Sequence, residues 1–258
     1  GFEIEEYPYY DKTSHSINID ALMETLNRVP AGDVVLLHGC CHNPTGADLQ
    51  PEHWDQIADI ALERGFIPFI DIAYQGLGQG LDADAYGLRM MADRLPELLV
   101  ASSCSKNFGL YRERTGSITL VAESAEQAKI VSAQSMSIAR QIYSMPPAHG
   151  ALLVSLILGD DQLRANWQAE LEEVRLRIKA MRTLLTDGIN DNAAGMDFSH
   201  IKQQQGMFSF LGITSDQLNR LRDEFAIYIV GSTRVNLAGI NSTNIDYLTK
   251  SIRTVLDS

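Results

Sequence analysis

Leu98-Leu99-Val100-Ala101-Ser102-Ser103-Cys104-Ser105-Lys106 starts as an apolar run and ends in hydroxyls, a thiol and an amine. Upstream, Phe66-Ile67-Pro68-Phe69-Ile70-Asp71 has the same form and ends in a carboxylate. Apolar runs that close on a polar residue are the pattern of buried parallel strands, which deliver side chains to a site at their carboxyl ends. A third such run, Asp33–Gly39, leads into the turn Asn43-Pro44-Thr45-Gly46. Together the three runs predict a sheet with Asn43, Asp71, Tyr74 and Lys106 along one rim.

Helices are predicted between the strands. Pro51 opens one and Gly65 closes it, with Trp54, Ile57, Ala58 and Ala61 at helical spacing. Others are expected near Ile19–Asn27, with Asp20 at its start, over Asp84–Arg94 and over Ser124–Ile138. Further strands are expected around Phe2–Glu5 and over Gly116–Ala122. This alternation indicates a parallel α/β sheet, with Pro68 a mild anomaly inside its strand.

The character changes after Pro146-Pro147. From Asp160 to about Asp187, Leu163, Trp167, Leu171, Val174, Ile178, Met181 and Leu185 recur every three or four residues. The run is only about three heptads, so it reads as a long helix packing one face on a core rather than a coiled-coil seam. Met207–Gly212, Ile227–Val230 and Arg234–Leu237 read as strands, flanked by helices over Asp216–Glu224 and Asn244–Leu256. The expectation is a large α/β domain over residues 1–173 and a smaller α+β domain over 174–258, joined through a long helix at about 160–187.

The 258 residues, 45% hydrophobic and 21% charged, suffice for a substantial core. A net charge of −12 argues against sequence-independent attraction to nucleic acid or an anionic membrane. Anionic small substrates would need locally placed arginines. Three cysteines, Cys40, Cys41 and Cys104, fit a reducing cytoplasm rather than a disulfide framework. No apolar run approaches the roughly 20 residues that span a bilayer. The opening Gly1-Phe2-Glu3-Ile4 reads as the inside of a strand, as though an earlier portion precedes it.

Lysines usually sit at the surface. Lys106 instead follows a strand among Ser102, Ser103 and Ser105, with no charged neighbour before Arg112, which leaves amine chemistry open beside the surface reading. Asp71 either meets a cation or caps the next helix. Arg112-Glu113-Arg114 is a solvated charge run, or Arg114 binds a phosphate with its planar fork. Arg234, flanked by apolar residues, needs an anion. Arg140 follows a helix and has no clear local role. His38-Gly39-Cys40-Cys41-His42 holds zinc-ligand residue types at poor spacing, so a packed strand end is preferred and no metal is expected. Dinucleotide and phosphate-loop motifs are absent from the sequence.

The ordered segments H-G-C-C-H-N-P-T-G, D-I-A-Y-Q-G, S-S-C-S-K-N-F-G-L-Y-R-E-R-T-G, Y-S-M-P-P-A-H-G, G-M-F-S-F and R-V-N-L-A-G resemble the class I aspartate and aromatic-amino-acid aminotransferases. These are pyridoxal-phosphate enzymes, homodimeric with a shared active site. The resemblance implies that Lys106 bonds the cofactor covalently, that Asp71 pairs with its ring nitrogen, and that Tyr74 and Asn43 donate to its ring oxygen. It further implies Ser103, Ser105 and Arg114 at the phosphate, Arg234 at the substrate α-carboxylate, and Arg140 at a distal carboxylate across the dimer. Met145 departs from the polar residue more usual in relatives. The match starts well inside the family's large domain. A ring-stacking aromatic, a helix-N-terminal phosphate site and a partner-donated tyrosine are therefore expected to lie outside this stretch, and the stretch alone is not expected to transaminate efficiently. Another activity on the same scaffold, such as a lyase or decarboxylase, or a non-catalytic module, are the alternatives to transamination.

Overall fold

Hydrophobic period sets where each element forms, and the computed structural model describes residues 3–257. In chain order they form β1 (Tyr10–Asp11), β2 (Ser16–Ile17), α1 (Ile19–Leu26), β3 (Val34–His38), α2 (Pro51–Arg64), β4 (Ile67–Ile72), α3 (Tyr86–Arg94), β5 (Leu98–Ser103), β6 (Gly116–Val121), α4 (Ala125–Ile142), α5 (His149–Gly159), α6 (Asp161–Asn190), α7 (Ser199–Gln203), β7 (Phe208–Phe210), α8 (Ser215–Phe225), β8 (Arg234–Asn236) and α9 (Ile245–Leu256). The chain divides into two compact units. The first comprises the segment ending at Tyr9, Asn18–Cys40 and Leu49–Glu172; the second comprises Tyr10–Ile17, Cys41–Asp48 and the segment from Glu173 onward.

In the first unit the sheet order is β3-β4-β5-β6. The first three strands are parallel, in registers that set His38 level with Asp71 and Asp71 level with Ala101. β6 runs antiparallel to β5, with Ser103 opposite Gly116, so the sheet is mostly parallel with one reversed edge. Pro68 sits in an internal strand without cost. The Ile67 N–H donates to Asp33 O on the β3 side, so the Pro68 nitrogen faces β5, where pairing starts only at Phe69↔Leu99. Within this stretch β3 packs one face: Val35 and Leu37 are buried, while Val34 and Leu36 are 49% and 47% exposed.

α2 follows its sequence signals closely. Gln50 and His53 form a reciprocal cap, Pro51 starts the helix, and Gly65 ends it in the left-handed region at φ 76°. Trp54, Ile57, Ala58 and Ala61 are all buried. Gly87 lets α3 approach Trp54, since a Cβ there would meet the indole at 2.3 Å. Asp84, expected within that helix, lies outside it. Its carboxylate accepts N–H bonds from Gly76, Gly78 and Gln79 at 2.7–3.0 Å, which holds the loop after Tyr74 and delays α3 to Tyr86.

In the second unit, antiparallel β7 and β8 pair over three residues each, with Phe210 opposite Arg234. Ile178, Leu185, Ile189, Phe198, Ile201, Leu221, Ile252 and Val255 fill its core. Ile227–Val230 is not a strand: its exposure alternates as an extended segment's would, but it has no ladder partner. Glu3–Glu5 is likewise irregular, and Phe2 lies outside the described residues. Among the described residues no helix is long and apolar enough to cross a membrane.

His15, in the β1–β2 turn, stacks on His200 of α7 with ring centroids 3.9 Å apart and planes 11° from parallel. His200 Nε2 donates to Phe210 O at 2.9 Å. Burial lowers the pKa of both imidazoles, so the fold favours their neutral forms. The unfolded chain therefore binds more protons below about pH 6.5, and stability present above that value is lost as pH falls through it. We expect a lower thermal midpoint at pH about 5.5 than at about 7.5, and a smaller drop in His200→Asn. An equal drop in the variant would show that the stack does not titrate as described.

Candidate active site

Parallel strands expose their last side chains at the carboxyl edge of a sheet, and three of the candidate residues of the first unit lie there. Asp71 lies near the end of β4, half-buried, level with His38 on one side and Ala101 on the other. Burial pushes the His38 pKa down while the Asp71 carboxylate pulls it up. Among the described residues Asp71 makes no ion pair. Tyr74, 6% exposed, follows on the same strand end. Lys106, three residues past β5, holds its Nζ 4.6 Å from the Tyr74 ring centroid.

The loop carrying Lys106 is fixed on both sides. Cys104 N donates to Thr115 O at 3.0 Å and Ser105 N to Ser103 Oγ at 3.1 Å. Beyond the lysine, Asn107 Nδ2 donates to Gln75 O at 3.2 Å, tying the loop to the segment after Tyr74. Trp167 of α6 donates to Asn107 O at 2.8 Å and stacks on Phe108, with centroids 4.4 Å apart. Burial raises the pKa of Cys104, keeping it a neutral thiol beside the loop.

Ser103 ends β5, and Ser105 is buried in the loop. Arg114 is exposed across the turn, in the left-handed region at φ 51°, and donates to Tyr111 O at 3.0 Å. Holding a non-glycine residue there costs on the order of 1 kcal/mol, a strain that collects at functional sites. Arg140 corrects its sequence placement: it lies inside α4 rather than after it, on a helix with no buried residue.

The second unit brings two more candidates together. Arg234 Nη1 donates to Asn43 Oδ1 at 3.1 Å, and its guanidinium carbon lies 4.5 Å over the Phe208 ring. The turn holding Asn43 folds around Asp48, whose carboxylate accepts the Cys41 and His42 N–H groups at 2.7 Å each. His42 Nδ1 bonds the Thr45 hydroxyl at 2.8 Å. Phe208 as a platform, the Trp167 brace and a buried Arg182 were not anticipated as site residues; only contacts between distant segments reveal them.

Comparison with known proteins follows the same lines. The family model described as "Aminotransferase class I and II" matches residues 1–252. The chain is 53% identical over 256 residues to the aspartate aminotransferase of Haemophilus influenzae, covering 99% of this chain and 65% of that protein. It is 44% identical to the aromatic-amino-acid aminotransferase of Pseudomonas aeruginosa, covering 64% of it. The crystal structure of the aromatic-amino-acid aminotransferase of Burkholderia pseudomallei, covalently bound to pyridoxal phosphate, superposes with a TM-score of 0.97 at 42% identity, over 99% of this chain and 64% of that one. The chain thus spans just under two thirds of the length of these relatives. Over that span its strands, its lysine loop and its ordered motifs make it a member of the class I and II aminotransferases.

Proposed function

We propose that the protein carrying this chain is a pyridoxal-phosphate-dependent transaminase. It moves the amino group of an L-amino acid, aromatic or aspartate, to a 2-oxo acid such as 2-oxoglutarate by a ping-pong mechanism. The observation that carries this reading is Lys106 Nζ over the buried Tyr74 ring, on the sheet edge that also presents Asp71, which makes no ion pair among the described residues. The donor set fits the cofactor. A half-buried carboxylate calls for a cation, and a protonated ring nitrogen is one. An amine is in place for an aldehyde, and two serine hydroxyls with an arginine fork suit a phosphate.

When bound, pyridoxal phosphate supplies an electron sink for the substrate Cα–H bond. Lys106 would hold it covalently through Nζ and, as a free amine, would accept the substrate Cα proton and donate it back. Asp71 would pair with the ring nitrogen; an opposite charge beside such a group raises its pKa by roughly 1–3 units and would keep it protonated. Tyr74 and Asn43 donate to the ring oxygen; Asn43 Oδ1 already accepts from Arg234, so Nδ2 is its donating end. Ser103, Ser105 and Arg114 hold the phosphate. Arg234 grips the substrate α-carboxylate, its planar fork steadied by the Phe208 face.

Arg140 serves a distal carboxylate in a partner's site, which makes the protein a homodimer with a shared active site. The exposed apolar side chains around it support that assignment: Met136, Ile138, Ile142, Tyr143 and Met145 are 56–74% exposed. Its free cysteines, Cys40, Cys41 and Cys104, support a reducing compartment such as the cytoplasm. The test is the half-reaction. L-aspartate, L-tyrosine or L-phenylalanine should convert the bound cofactor from its aldehyde to its amine form, read by absorbance. Failure of every amino donor would sink the transaminase reading.

A further inference from the structure

Among the described residues of the second unit, Arg182 is the most completely buried charge, at 2% exposure on the inner face of α6. Its guanidinium bonds carbonyl oxygens: Nε to Gly206 at 3.2 Å, Nη1 to Ile201 at 2.7 Å, and Nη2 to Gln205 at 2.8 Å, Gly206 at 2.8 Å and Phe208 at 2.6 Å. Burial lowers its pKa to about 10, opposed by Cys41 and Asp48, so it remains charged at neutral pH. A buried arginine is normally matched by a carboxylate hydrogen bond. Here backbone dipoles take that place, and all of them belong to the stretch from Ile201 in α7 to Phe208, the first residue of β7.

That segment carries both supports of Arg234. Its last residue, Phe208, is the ring under the guanidinium. Gln205 N donates to Gly46 O at 2.7 Å, which anchors the turn bearing Asn43. The approach is so close that a Cβ on Gly46 would lie 2.6 Å from Phe208 O. Fixing five carbonyl contacts from one planar group therefore fixes the position of the Phe208 ring and of Asn43 together.

We propose that Arg182 is a positioning residue that holds Arg234 in the orientation that receives a carboxylate. The proposal rests on the reading that Arg234 grips the substrate α-carboxylate. A lysine at 182 keeps the charge but offers one point instead of a fork. It leaves the Phe208 carbonyl unheld, and small misplacements in a bidentate clamp weaken binding steeply.

The test is a double-mutant cycle on the natural gene product loaded with pyridoxal phosphate, with L-aspartate and 2-oxoglutarate as probes. Arg182→Lys should raise the KM for both about tenfold while changing kcat less, with the cofactor's absorbance titration unmoved. In an Arg234→Lys background the same change should have less than about a twofold effect. Phe208→Leu supplies a second route should Arg182→Lys fail to fold, and is expected to raise KM in the same direction. An undiminished effect of Arg182→Lys in the Arg234→Lys background overturns the proposal, as does unchanged KM in Arg182→Lys or, if that variant does not fold, in Phe208→Leu. If Arg234→Lys alone leaves KM unchanged, the carboxylate assignment fails first, and this proposal falls with it.

Discussion

Lys106→Ala should lower amino-group transfer by about 10³-fold or more, the scale of losing a positioned proton-transfer group together with covalent attachment. The fold should survive the change. Lys106 forms no ion pair among the described residues, and its contact over the Tyr74 ring is of a kind that contributes only about 0.5–1 kcal/mol. Lys106→Arg separates charge from chemistry: arginine keeps the cation but cannot give up its proton near neutral pH. Both variants should therefore be inactive in single-turnover measurements while melting close to the native temperature. A rate within about twofold of native in either would remove Lys106 from the chemistry.

The second large effect is expected at Asp71. Asp71→Asn keeps the shape and removes the charge that would hold a ring nitrogen protonated. Losing a stabilisation of roughly 1–3 pKa units corresponds to about 1.4–4 kcal/mol, or about 10- to 10³-fold in rate. The same change has a consequence that needs no cofactor. Asp71 is the charge that raises the His38 pKa against its burial, so His38 should titrate lower still in the variant, visible in its imidazole NMR signals. A slow enzyme with an unmoved His38 would mean that the carboxylate acts elsewhere. Unchanged rates would contradict the ring-nitrogen assignment outright.

The parts of the fold that were legible are those where one local signal decides. β4 and β5 declare themselves as apolar runs closing on polar residues, and α2 by its proline, glycine and buried stripe. Strand direction did not show for β6, because alternation looks alike in both senses and the Lys106 loop replaces a crossover helix. Ile227–Val230 shows the same limit: sequence marks an extended backbone but not whether a partner lies beside it. α5 was missed because Ala151-Leu152-Leu153-Val154 is apolar all round, with no period to read, although Leu152 and Leu156 are exposed.

The site divides in the same way. Asp71, Tyr74 and Lys106 lie on one sheet edge because strand ends impose it. Arg234 meets Asn43 across 191 residues of chain, which no local pattern could anticipate. Arg182 is the sharpest case. A charged residue on a long helix is read as solvated, yet this one falls four residues after the buried Ile178 and turns inward to backbone carbonyls.

The most direct test of the account is to reduce the cofactor-loaded protein with borohydride and map the pyridoxyl group by peptide mass spectrometry. Hydride addition to the carbon–nitrogen double bond turns the link into a stable amine, marking the lysine that formed it. The label should fall on the peptide containing Lys106 and be absent from that peptide in Lys106→Ala. A label on Lys12, Lys129, Lys179, Lys202 or Lys250 instead, or on no lysine, would contradict the Lys106 assignment.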